Sequence, residues 1–212
     1  MTNYLRNLTF LLILAMSFSV IAKTEDAKVV YGEDDRIEVY EADAMLADLA
    51  KGTAAQISHS ALEELVGDLV KISGKSLSQR GICSDERFAD QMTAARCSGF
   101  LVGEDLLVTA GHCIRTQSDC DNYSWVFDYK KQRLLTDSVI VKDSSVFRCK
   151  KIIEQSLDSY TKDDYALIRL DRSVEDRRPL EYRTEGKPLP GDPLVVIGHP
   201  TGLPTKIAAG AE

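Results

Sequence analysis

The apolar positions of this chain change period near residue 97. Between residues 41 and 72 they recur at helical spacing: Met45, Leu46 and Leu49, then Leu62, Leu65, Val66, Leu69 and Val70. That spacing predicts helix. Ser60-Ala61-Leu62-Glu63 fits a capping box ahead of the second group, and Gly67 opposes a helix from within it. His59 falls just before the cap and is expected to face solvent. Upstream, residues 29–40 alternate weakly around a glycine and two aspartates, a strand–turn–strand pattern. Residues 73–82 read as linker. From residue 97 onward short runs replace the helical period, at 100–102, 106–109, 123–129, 138–141, 146–153 and 166–170. Gly103-Glu104-Asp105 between the first two is a hairpin signal. Trp125 and Tyr129 share a face of their strand and are expected as core or rim aromatics. Six short strands with turns between them predict an antiparallel barrel or sandwich. Residues 171–192 carry Pro179, Pro188, Pro190 and Gly191 and read as a connection between two units. Leu194–Gly198 is one more buried strand.

The first residues follow a different logic. Arg6 precedes an apolar run from Leu8 to Val20, and Val20-Ile21-Ala22 offers a cleavage site. The run is short for a membrane span, so residues 1–22 read as a secretory signal peptide rather than an anchor. No cysteine follows Ala22, which argues against a lipoprotein. The net charge of −7 argues against a nucleic-acid partner, and removal of Arg6 makes it −8. Arg172, Arg177 and Arg178 alternate with Asp171, Glu175 and Asp176 as a mixed-charge surface.

Export would allow disulfides. The cysteines are Cys83, Cys97, Cys113, Cys120 and Cys149. Five is odd, so one thiol is left free or pairs outside the chain. Cys120 and Cys149 flank an expected hairpin centred near Leu134–Leu135 at equal offsets, which predicts a bridge between them. Cys83 paired with either is the rival. The three histidines lie far apart with no zinc spacing, and no cofactor or metal is expected. His199, before Pro200, reads as structural. Asp34-Asp35 reads as a solvated turn.

His112 is the exception among the histidines. It ends the run Leu106-Leu107-Val108-Thr109-Ala110-Gly111-His112-Cys113, and Asp164 stands at the mouth of the run Asp164-Tyr165-Ala166-Leu167-Ile168-Arg169-Leu170. A histidine can serve as general base near neutral pH, and a carboxylate can orient it. The stretch from Cys97 to Cys113 resembles the histidine motif of the trypsin/chymotrypsin superfamily, and residues 164–170 resemble its aspartate motif. The order His then Asp is that superfamily's. Residues 29–36 and 197–204 are similar to segments of bacterial glutamyl endopeptidases, the nearest branch.

The resemblance implies an all-β, chymotrypsin-like double β-barrel, of which this sequence would hold the first barrel complete and the second only begun; the helical N-terminal segment expected from residues 41–72 departs from the bacterial members of the family. It implies His112 as base then acid, Asp164 as its orienting partner, and a Cys97–Cys113 disulfide. The expected order is signal peptide 1–22, short pro-segment 23–28, partly helical extension 29–82, first barrel 83–186 and start of the second barrel 187–212. Lys28-Val29 is the expected processing site, with Lys71-Ile72 as runner-up. The nucleophile should sit in a G-x-S-G element, which this sequence lacks. Ser73 and Ser98 each precede a glycine without that pattern, and too few residues follow Asp164 for a second barrel of roughly 70–100 residues. The expected function is a secreted or periplasmic serine endopeptidase acting on proteins or peptides, with no membrane partner after signal removal and its serine beyond Glu212. A non-catalytic pseudo-protease that binds partners is the alternative.

Overall fold

The computed structural model describes residues 34–133 and 137–211. The signal peptide, the 23–28 segment, the Lys28-Val29 site and Leu134–Leu135 lie outside those residues. The compact unit beginning at Asp35 holds all the elements named here. They are β1 (Ile37–Glu38), α1 (Ala44–Ala50), β2 (Thr53–Ser58), β3 (Leu62–Leu65), β4 (Leu69–Ser73), β5 (Lys75–Ser76), β6 (Met92–Thr93), β7 (Ala95–Leu101), β8 (Leu106–Thr109), α2 (Gln117–Asn122), β9 (Tyr123–Phe127), β10 (Ser138–Lys142), β11 (Val146–Leu157), β12 (Asp164–Leu170), β13 (Leu194–Gly198) and β14 (Lys206–Ala211).

Six of the strands close a barrel in the order β11-β12-β8-β7-β2-β9, every neighbouring pair antiparallel. Its interior is filled by Leu101, Leu107, Trp125, Phe127, Phe147, Ile168 and Leu170. Outside it, β10-β4-β3 form a second sheet. A second cluster of Ala55, Ile57, Val70, Ile72, Val126, Tyr129, Val139 and Val141 fills the space between. Strands β2 and β9 are therefore buried on both faces, Ala54 and Phe127 inward and Ala55 and Val126 outward. A strand covered on both sides has no reason to alternate.

The N-terminal reading needs correction. Among the described residues before β7, α-helix is confined to α1, where Asp43 caps the Leu46 amide at 2.8 Å and Leu46 is buried. Residues 62–72, expected as helix, fall in the β3–β4 hairpin. Gly67 and Asp68 both take positive φ, 86° and 56°, at its tip. The glycine that seemed to interrupt a helix supplies the left-handed backbone the turn requires. Val70 and Ile72 point inward at period two, and Val66 is 99% exposed. The barrel also takes β2 from upstream of residue 83, so residues 53–58 are a barrel wall rather than an extension. The Lys71-Ile72 bond lies inside β4, with Ile72 fully buried. Residues 73–82, expected as linker, include β5, paired with β6.

Four side chains also differ from expectation. His59 is half-buried, and desolvation lowers its pKa below the usual histidine value. Trp125 and Tyr129 join different clusters, because positive φ at Asp128 ends the alternation of β9. Arg177 is buried, not a surface charge: its side chain is 3% exposed and pairs with Asp128 at 3.0 Å and Asp176 at 2.7 Å.

After β12 the chain runs through residues 171–193 with no helix or strand. It then forms β13 and β14, and β14 pairs with both β13 and β1 in a three-stranded sheet; β13, expected as a buried strand, leaves Leu194, Val195 and Val196 exposed. Helix α1 packs on that sheet through Leu46, Ala50 and Ile207. Buried Lys206 on β14 bonds to Glu38 on β1 at 3.1 Å, to Gln91 and to the Pro204 carbonyl. All three ammonium protons are thus satisfied, which is what burial of that charge demands.

Candidate active site

β8 and β12 lie side by side, with Ala166 opposite Thr109. Their paired ends bring the turn after β8 to the start of β12. That turn, Gly111–Cys113, is one turn of 3₁₀ helix, and Asp164 is the first residue of β12. The Asp164 carboxylate receives both its neighbour's hydrogens: Oδ1 accepts the His112 backbone N–H at 2.8 Å, and Oδ2 lies 2.7 Å from His112 Nδ1. The side-chain bond to His112, followed by the backbone N–H, lowers the Asp164 pKa below the ordinary carboxylate value. An ionised Asp164 fixes the tautomer with hydrogen on Nδ1 and leaves Nε2 as acceptor. The two side chains are 52% and 41% exposed.

The described residues hold two disulfides, one of them next to this pair. Cys97 on β7 is joined to Cys113, the residue after His112, and Cys120 is joined to Cys149. The second bridge ties α2 to β11 rather than two arms of a simple hairpin. β9 and β11 do pair, Val126 opposite Val146, but β10 between them belongs to the other sheet. Cys83 is exposed and free. Cys97, His112 and Cys113 have ligand atoms within 4.8 Å of one another. Both sulfurs are held in the disulfide, so neither is the thiolate a metal would take.

Sequence reasoning missed two glutamines. Gln56 Nε2 donates to the Cys113 carbonyl at 3.0 Å, and Gln155 Nε2 donates to the Gly111 carbonyl at 3.1 Å. They grip the peptide groups on either side of His112 from two different strands. Gln56 lies in a segment whose helical reading hid the strand, and nothing local marks Gln155.

The serines fall elsewhere. Ser73 ends β4, opposite Ser138. Ser98 Oγ accepts the His199 N–H at 2.9 Å and sits 3.2 Å from His199 Nδ1. This second Ser–His contact is structural. His199 is buried, its Nε2 lies 3.2 Å from Thr205 Oγ1, and burial pushes its pKa down to about 3. A base that weak cannot activate a hydroxyl near neutral pH. Among the described residues, no serine hydroxyl bonds His112 Nε2. Beside the pair, a hollow of about 370 Å³ is lined by Ser98, Gly99, Val108, Ala110, Asp164 and Tyr165.

The profile of the trypsin-like peptidase domain matches residues 97–211, more than half of the chain and the whole span from Cys97 through His112 and Asp164 to β14. The chain belongs to the trypsin-like peptidase domain family. The all-β architecture and closed six-stranded barrel are those of a chymotrypsin-like fold. No curated protein matches the chain. Membership makes the function of this trypsin-like domain peptidase-type and its substrates proteins or peptides. Among the described residues, no helix is long and apolar enough to cross a membrane.

Proposed function

We propose that the chain carries the base and orienting acid of an exported serine endopeptidase. The observation that carries this reading is the double engagement of Asp164 with the backbone and ring of one residue, His112. In the proposed reaction a serine hydroxyl from outside the described residues approaches His112 Nε2. Its proton passes to Nε2 as oxygen attacks the peptide carbonyl, and the imidazolium is stabilised by Asp164. The same proton then goes to the leaving amine. Water repeats the sequence to release the acyl group and restore the serine. The two disulfides support an extracellular or periplasmic setting. The signal peptide of residues 1–22, processing at Lys28-Val29 and kinship with the glutamyl endopeptidases belong to the same reading.

The test is labelling of the natively exported product with a fluorophosphonate probe, read by intact mass. One adduct per molecule is expected, absent in His112→Ala. Asp164→Asn should lower kcat by roughly 10³- to 10⁴-fold, because the wrong tautomer is then favoured. An unlabelled product without peptidase activity would sink the reading.

A further inference from the structure

A second hollow, of about 660 Å³, lies between the Ser78–Arg80 turn, the start of β7 and the Pro200–Gly202 turn. Arg80 and Arg96 line it together with Ser58, Thr93, Tyr123 and Thr201, and none of its lining residues is an Asp or Glu. That is unusual on a chain whose net charge is −7. The two arginines are held differently. Arg80 donates through one Nη to Thr93 Oγ1 at 3.0 Å and to the Thr201 carbonyl at 3.4 Å, both neutral acceptors. Among the described residues no carboxylate pairs with it. Arg96 lies over the Tyr123 ring, 5.0 Å from its centroid, with Asp119 at 3.5 Å. Its guanidinium is thus held over an aromatic ring while its side chain stays 44% exposed.

We propose that this hollow is a binding site for a carboxylate of a bound peptide, held by Arg80 and Arg96. A guanidinium with neutral partners on one side keeps donors for a carboxylate, and the paired N–H fork suits one. Ser58 and Tyr123 add hydroxyls on the wall. The location gives the site its meaning. Arg96 is next to Cys97, whose Cα is 6.1 Å from that of Cys113, next to His112. At 3.8 Å per Cα step, Arg96 and His112 are separated by at most about 14 Å. An extended peptide advances roughly 3.3 Å per residue. The recognised carboxylate therefore belongs to a residue a few positions from the bond presented to His112. It is either an Asp or Glu side chain or the peptide's own C-terminus. This proposal rests on the peptidase reading only in taking the ligand to be substrate.

The experiment measures binding, not turnover. Fluorescent octapeptides carrying one Glu, moved position by position, are compared with Gln at the same position, each with a free and an amidated C-terminus. Affinity for the full-length exported protein bearing His112→Ala is read by anisotropy. At one position Glu should bind about tenfold or more tighter than Gln. The advantage should disappear in Arg80→Gln and in Arg96→Gln and shrink at high salt. If the advantage follows the free C-terminus instead, the carboxylate is the chain end. On the protein without arginine substitutions, the Arg80 and Arg96 Nε–H resonances should shift with the Glu peptide and not with its Gln twin, so the result does not depend on variants folding. No Glu or free-end advantage anywhere, or one that survives both arginine substitutions, overturns the site. A carboxylate preference in a protein that no fluorophosphonate labels would retain the site and remove the proposed catalytic function.

Discussion

Removing the Cys97–Cys113 bridge should separate two effects that a disulfide can have. In the chain-entropy account a bridge stabilises by closing a loop in the unfolded chain, and the gain depends on loop length alone. The two bridges span sequence separations of 16 and 29. The corresponding losses are about 3 kcal/mol for Cys97→Ala with Cys113→Ala and about 3.6 kcal/mol for Cys120→Ala with Cys149→Ala. For a unit of this size each translates into a fall in Tm of roughly 6–14 °C. The stability losses are thus nearly equal, but the positions are not. Cys113 follows His112 directly, whereas Cys120 lies in α2 and Cys149 in β11. The first pair should therefore also loosen His112 from Asp164, and the second should not. Guanidinium melts give the stability. The downfield Nδ1–H proton resonance of His112, held now by a 2.7 Å contact, gives the geometry. A Cys83→Ser background prevents exchange through the exposed thiol. A loss below about 1 kcal/mol for either pair would refute the loop-closure reasoning. Equal weakening of the His112 resonance in both variants would refute the positional argument. A His112 resonance undisturbed by loss of the Cys97–Cys113 pair would mean that Gln56 and Gln155 are sufficient to hold the turn without the bridge.

Two further predictions concern buried charge and titration. His199 stays neutral in the fold, its pKa pushed to about 3 by burial, while the unfolded chain protonates it below about 6.5. Stability should therefore fall as pH drops, by roughly 2 kcal/mol between pH 6.5 and 5, and urea melts of His199→Gln should show a flatter profile; an unchanged slope counts against it. Arg177→Met should cost about 3 kcal/mol, because it takes the buried guanidinium from partly buried Asp128 and leaves it with Ser145 and the more distant Lys130. Adding Asp128→Asn should recover part of that loss, and a single-variant loss under about 1 kcal/mol in the same melts would contradict it.

The parts of the molecule legible in the sequence are those whose chemistry is local. The run from Leu106 to Thr109 and the run from Asp164 to Leu170 each announce a strand with a polar residue at its mouth. Antiparallel pairing then brings those mouths together. The cysteine beside His112 carries a local meaning too. The β3–β4 hairpin was not legible for the opposite reason. Leu62, Leu65, Leu69 and Val70 satisfy helical spacing by accident of a three-residue loop. Register places Leu65 opposite Leu69 across the hairpin, and two residues that face each other across a tip are four apart in sequence, the same spacing as one helical turn. Only Gly67-Asp68 distinguishes the two, by its demand for positive φ.

The same distinction explains why β2 escaped notice. Thr-Ala-Ala-Gln-Ile-Ser has neither alternation nor bulk, because its two faces meet two different cores. Ala54 and Ala55 are both fully buried. On the barrel side, Ala54 shares its cluster with Trp125 and Phe127 of neighbouring β9. Small residues there follow from large ones on the adjacent strand, a relation between positions some seventy residues apart that no window of sequence contains. Gln56 is the consequence for function. It is fully buried, in a wall that only tertiary pairing creates, and its amide reaches 57 residues forward to the carbonyl of Cys113. The histidine was readable because its motif surrounds it. The residue that holds its turn from the other side was not, because what makes Gln56 matter is the strand it belongs to, and that strand exists only when the barrel closes.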